Sequence, residues 1–206
     1  MAERSGVAWL QRLWRRTREE SGAHPGTAAV LPVEQALAVL EAQLCEGMVR
    51  PGGEPLSAAL AARVELPGLP GRNAFGQPIH EEAAAGAAER TSVATGMALA
   101  GLRATAFLGG EELISSHEAL RGCAERLVPL VLHVSCGEAG HEGYPAVAGS
   151  GPFQVLASSG QEALDLSLVA RWLAERALLP GVVCTDVDGV ESLNLPDEEL
   201  IRSYLG

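Results

Sequence analysis

The sequence contains no lysine: all fifteen of its basic residues are arginine. That excludes Schiff-base chemistry on a lysine amine and the lysine of a P-loop. Cysteine is scarce. Cys45, Cys123, Cys136 and Cys184 stand at least thirteen positions apart, and no CxxC occurs. A local zinc or iron–sulfur ligand run is therefore excluded. Cys45, Cys123 and Cys184 lie in apolar segments and read as buried thiols in a reducing, cytoplasmic compartment. Long apolar runs are also lacking. None is long enough to span a bilayer, and no apolar core with a cleavage site follows the N-terminus. Positive charge is in deficit, with a formal net charge of −11. A chain of this balance has no face suited to wrapping nucleic acid.

At 206 residues the chain reads as one domain, 27–206, preceded by an arm and linker, 1–26. The arm carries five arginines. Its Trp9, Leu10, Leu13 and Trp14 fall on one side of a helix, which reads as a helix packed on its own domain or a partner subunit rather than on a membrane surface. Val33, Leu37, Leu40 and Leu44 mark one face of a helix ending at Gly47. Met48–Pro55 reads as a turn, Ser57–Val64 as a short Ala-rich helix, and Leu66–His80 as a Pro/Gly-rich loop.

The organising stretch runs from Glu89 to Glu138. A helix of small residues reaches Gly101, and Ala104–Leu108 is a short strand. Gly109-Gly110 is a turn, and Glu111–Glu125 is a helix with Leu113, Leu120 and Cys123 inward. Leu130–Ser135 is apolar at nearly every position, as a strand buried on both faces is. Phe153–Ala157 is a further strand. Ser159 and Glu162 form a capping-box pattern for a helix from Gln161 to about Leu178, with Leu164, Leu168 and Trp172 as its buried face. Val182–Asp186 is the last clear strand, and Pro196–Leu205 a final helix. Strands alternating with helices predict an α/β fold: a doubly wound, mostly parallel sheet with helices on both faces.

GMALAGLRATAF, LVPLVLHVS, FQVLASSGQEALDLSLVA and VVCTDVDG, in that order and spacing, resemble one domain type. It is the N-terminal pyrimidine-binding domain of the 2-oxoacid:ferredoxin oxidoreductases, the pyruvate:ferredoxin oxidoreductase family. The resemblance runs from about Gly96 to the C-terminus, and GMALAGLR also looks like the equivalent helix of transketolase-type enzymes. It implies thiamine diphosphate as cofactor, a 2-oxoacid as substrate, and a Glu carboxylate directed at the aminopyrimidine ring. It further implies a partner domain or subunit that binds the diphosphate through magnesium, an iron–sulfur subunit, ferredoxin as acceptor, and an oligomeric complex.

Carried over by position, the activating carboxylate should lie nine residues before Gly96, at Ala87. The nearest carboxylate is Glu89, about 200° further round a helix, and Glu89 is the catalytic candidate. Gly53 stands where a substrate-contacting Thr is expected, and Gly137 where a carboxylate-binding Arg is expected. Gly109 and Gly110, opening a helix after a strand, are the cofactor-binding candidates, with an ordinary strand-to-helix turn as the alternative. His141, in the loop where the family's site lies, is the substrate-binding candidate, with Glu142 as its acid/base neighbour. His133 reads as a core histidine, and Asp186 with Asp188 as a structural segment rather than a metal pair. The chain itself supplies no cluster or metal ligands. The three absent family residues keep a second reading open: a non-catalytic relative serving as scaffold or regulatory subunit.

Overall fold

The computed structural model describes residues 26–52, 71–136, 140–187 and 189–206. The arm before Gly26, the Ser57–Val64 helix, Gly53, Gly137 and Asp188 lie outside the described residues.

The elements in chain order are β1 (Thr27–Pro32), α1 (Val33–Leu44), β2 (Gly47–Arg50), β3 (His80–Ala83), α2 (Ala87–Leu99) and β4 (Ala104–Gly109). A 3-10 turn (Leu113–Ser116) leads into α3 (His117–Glu125) and β5 (Val131–Ser135). A second 3-10 turn (Gly140–Glu142) precedes α4 (Gly143–Ala146), β6 (Phe153–Ala157), α5 (Gly160–Ala177), β7 (Gly181–Thr185), β8 (Val190–Leu195) and α6 (Glu198–Leu205).

Six strands form one sheet in the order β3-β2-β4-β5-β7-β6, every pairing parallel. Residues alternate between two apolar layers, as a sheet covered on both faces requires. Ala104, Ala106, Leu132, Val134, Val182 and Cys184 pack with α2 and α3. The opposite face carries Phe107 and His133 beneath α1, and Val131 and Val183 beneath α5. α2 is built from small residues because it lies close on the sheet. A side chain at Gly47 of β2 would come within 2.7 Å of the Met97 sulfur of α2. β1 and β8 form a separate antiparallel pair, from Thr27↔Leu195 to Pro32↔Val190, packed on α1 and α5.

The α/β, parallel, doubly covered architecture is as the sequence predicts, with differences in detail. Gly47–Arg50 is a strand rather than part of a turn, and β1, β3 and β8 are strands that the local sequence pattern does not announce. The segment after Gly110 is a 3-10 turn followed by a shorter helix, not one helix from Glu111. The buried face of α5 is rotated from the predicted one. Gly160, Ala163, Leu164, Ser167, Ala170, Arg171 and Ala174 face inward. Trp172 is exposed, with the Arg176 guanidinium 4.6 Å over its ring.

Ser159 caps α5 as predicted: its Oγ accepts from the Glu162 amide at 3.2 Å. The returning Glu162 carboxylate reaches one residue further back and accepts from the Ser158 amide and hydroxyl. Ser159→Ala is expected to cost about 1 kcal/mol, read as a lower urea midpoint at unchanged slope.

Candidate functional site

The chain leaves β2 for β3 on one side, then crosses back to β4 on the other. The order of the sheet therefore reverses at β2, and crevices at such points, outside the carboxyl ends of the strands, are where open α/β sheets bind ligands. A cavity of about 440 Å³ lies there, between the N-terminal half of α1 and the ends of β2, β4, β5 and β7. Its walls include Leu37 and Ala38 of α1, Phe107 and Gly109 of β4, and His133 of β5. Most of this lining is apolar. Phe107 and His133, neighbours in register, stack with centroids 5.4 Å apart.

Behind the cavity lies a buried polar cluster. Glu41 of α1 is fully buried. Its Oε1 accepts from His133 Nε2 at 2.7 Å. Its Oε2 accepts from Arg171 Nη2 at 3.0 Å and from the Cys45 thiol at 2.9 Å. Arg171, likewise buried, also donates to the Ala104 carbonyl at 2.9 Å. Burial by itself would raise the Glu41 pKa, but Arg171 and His133 outweigh it and hold the carboxyl down at about 2. Burial pushes the Cys45 thiol well up, so it remains a protonated donor to Glu41. With Glu41 an acceptor on both oxygens, His133 Nε2 must carry a proton.

The residues singled out in the sequence take different places. Gly109 lines the cavity. Its amide is already used by Glu112 Oε2 at 2.8 Å, and the Gly110 amide by the Ser135 carbonyl at 2.8 Å. The Glu112 carboxylate is itself held by the buried Arg90. The Gly109-Gly110 turn thus offers no free N–H to an anion, and the strand-to-helix alternative describes it. Ala87 is buried in the α2 layer, whereas Glu89 in the first turn of α2 is exposed. Neither lines the cavity. His141 is half exposed and pairs with Asp186 Oδ1 at 2.9 Å, rather than with Glu142.

Sequence reasoning does not single out Glu41 or Arg171. The available signal is position: Glu41 follows Leu37 by four residues and Arg171 follows Leu164 by seven, so both charges sit on apolar helical faces. Among the described residues, no group of three or more His, Cys, Asp or Glu could hold a metal ion. Nor is any helix there long and apolar enough to cross a membrane.

No family model matches the chain. It is similar to the pyruvate synthase subunit PorA of Pyrococcus furiosus, with 31% identity over 134 residues, or 56% of this chain. The chain spans only 33% of that relative's length. In fold it resembles a 2-oxoglutarate:ferredoxin oxidoreductase from Magnetococcus marinus, solved with 2-oxoglutarate, coenzyme A and succinyl-CoA bound. The TM-score is 0.60 at 12% identity, over 94% of this chain and 37% of the other. The fold also resembles benzoylformate decarboxylase from Polynucleobacter necessarius, with a TM-score of 0.52 at 12% identity, over 75% of this chain and 29% of that one. Sequence and fold agree, and the chain is a relative of the 2-oxoacid:ferredoxin oxidoreductase family.

Proposed function

We propose that this chain is the pyrimidine-side domain or subunit of a thiamine diphosphate-dependent 2-oxoacid:ferredoxin-type oxidoreductase, active only with partner chains. The observation that carries this reading is the 31% identity to a pyruvate synthase subunit over 134 residues, in a chain whose sheet order is β3-β2-β4-β5-β7-β6. The cofactor would supply the carbanion chemistry. A partner would supply magnesium and diphosphate binding, an iron–sulfur subunit would pass the electrons to ferredoxin, and the complex would work in the cytoplasm.

Within this chain the residues do not complete a thiamine site. The position expected to bear the activating carboxylate is the buried Ala87, and Glu89 faces solvent. Glu89 serves only where a partner covers that face of α2. His141, exposed and held by Asp186, would likewise meet a substrate only at a shared surface.

The test is copurification of the tagged chain, thiamine assay of the eluate, and turnover of the reconstituted complex. Glu89→Ala is expected to lower turnover roughly a hundredfold or more with the complex intact, the scale of a lost acid/base group. Unchanged turnover would remove Glu89 from the site. A second reading, a non-catalytic scaffold or regulatory relative, is favoured by one observation, the buried Ala87. It predicts partners without thiamine.

A further inference from the structure

The switch-point cavity carries two buried polar atoms with no hydrogen-bond partner among the described residues, His133 Nδ1 and Thr185 Oγ1. Both residues line it. His133 pairs with Val183 in the β5–β7 register, and Thr185 lies two residues further along β7, so both side chains project from the same face of the sheet. A polar group left unpaired out of water is costly, and persistent cases ask for a missing partner.

The chemistry each atom offers is fixed by its surroundings. Glu41 Oε1 accepts the hydrogen bond from His133 Nε2–H. Arg171 already balances the Glu41 charge. In the neutral ring that proton placement leaves Nδ1 a bare acceptor. The Thr185 hydroxyl can donate or accept. Leu37, Phe107, Leu108 and Val187 make much of the remaining wall apolar. Charge at the rim does not favour an anion. Arg50 is held by Glu81 at 2.8 Å, and Glu34 is exposed beside the cavity. No residue of α2 lines the space, so it is separate from the place where the resemblance puts the thiamine carboxylate.

We propose that this cavity binds a small, uncharged, mainly apolar ring compound, through an N–H or O–H donated to His133 Nδ1 with Thr185 Oγ1 as second partner. The volume of about 440 Å³ lies within the range of small-molecule sites. Both atoms are screened from water, so a ligand reaches them through a local adjustment of the wall and meets them already desolvated. The proposal does not rest on the subunit reading above.

The test uses the full chain, with the ring nitrogens of histidine followed by NMR during titration. Indole is the probe, indene its counterpart without the N–H, and indole-3-acetate its charged counterpart. Indole is expected to bind saturably, at least tenfold tighter than either, and to move the His133 Nδ1 resonance. Thr185→Val removes the unpaired hydroxyl at nearly constant shape. It is expected to raise the thermal midpoint of the free chain and to weaken indole binding at least threefold. A merely structural threonine would leave binding unchanged. Equal affinity for indole and indene, no saturable binding, or full affinity in folded Thr185→Val would each overturn the assignment.

Discussion

Arg171→Met is expected to destabilise the chain by about 4 kcal/mol at pH 7, the scale for removing one partner of a buried ion pair. Arg171 and Glu41 are both fully buried, and methionine matches the arginine stem without its charge. The loss would come from a carboxylate left in the core with His133 and the Cys45 thiol but no balancing cation. Removing both charges, as Glu41→Gln with Arg171→Met, is expected to restore more than half of that loss. Urea unfolding of the wild type, both single variants and the double variant measures the coupling. Additive losses would show that the pair does not act as a unit.

The pH dependence gives the same cluster an independent signature. In the folded chain Glu41 titrates at about 2, against an ordinary 4.5. A depressed carboxyl stabilises the fold above its unfolded value, and that contribution fades as pH falls from about 4.5 towards 2. Its size is about 3 kcal/mol. In Arg171→Met the sign reverses. A proton taken up by Glu41 then relieves the uncompensated charge. The variant therefore gains on wild type as pH falls through the acid range. Parallel stability–pH curves for the two proteins would contradict this linkage.

How much of the fold was legible in the sequence follows from where each element lies. β4, β5 and β7 sit in the middle of the sheet and are buried nearly throughout, so they read as apolar runs. β3 is an edge strand of sequence HEEA, largely exposed, and its pairing with β2 leaves no hydrophobic trace. β2 is four residues long and runs straight into Pro51-Gly52, which disguised it as a turn. β1 and β8 stabilise each other across the whole domain, and Val30 and Val190 stay exposed. Their pairing is a tertiary fact that local pattern does not carry. The site divides in the same way. The turn at Gly109-Gly110 and the core location of His133 were readable. The Glu41–His133 contact joins residues 92 positions apart. Periodicity can place both side chains inward without bringing them together.

Gly143→Ala is the second large effect, expected to cost about 3 kcal/mol, towards the upper end of what a forced fit costs. A Cβ at Gly143 would fall 2.0 Å from the Gly110 carbonyl oxygen and 3.1 Å from the Leu113 Cβ. The nearest obstacle is backbone and cannot rotate away, so α4 and the turn after β4 must separate. That turn is tied down on the other side: Gly110 donates to the Ser135 carbonyl and Gly109 to Glu112. Displacing it would strain the β4–β5 junction and move Gly109, a wall of the cavity. Gly143→Ala should therefore lower the urea midpoint and weaken indole binding together. Gly96→Ala is the control. Gly96 lies in α2 with nothing within 4 Å of the added carbon. Alanine there is expected to stabilise by about 0.5–1 kcal/mol, through helix propensity alone. If both substitutions shifted the midpoint alike, close packing at Gly143 would not be what fixes α4 against the turn.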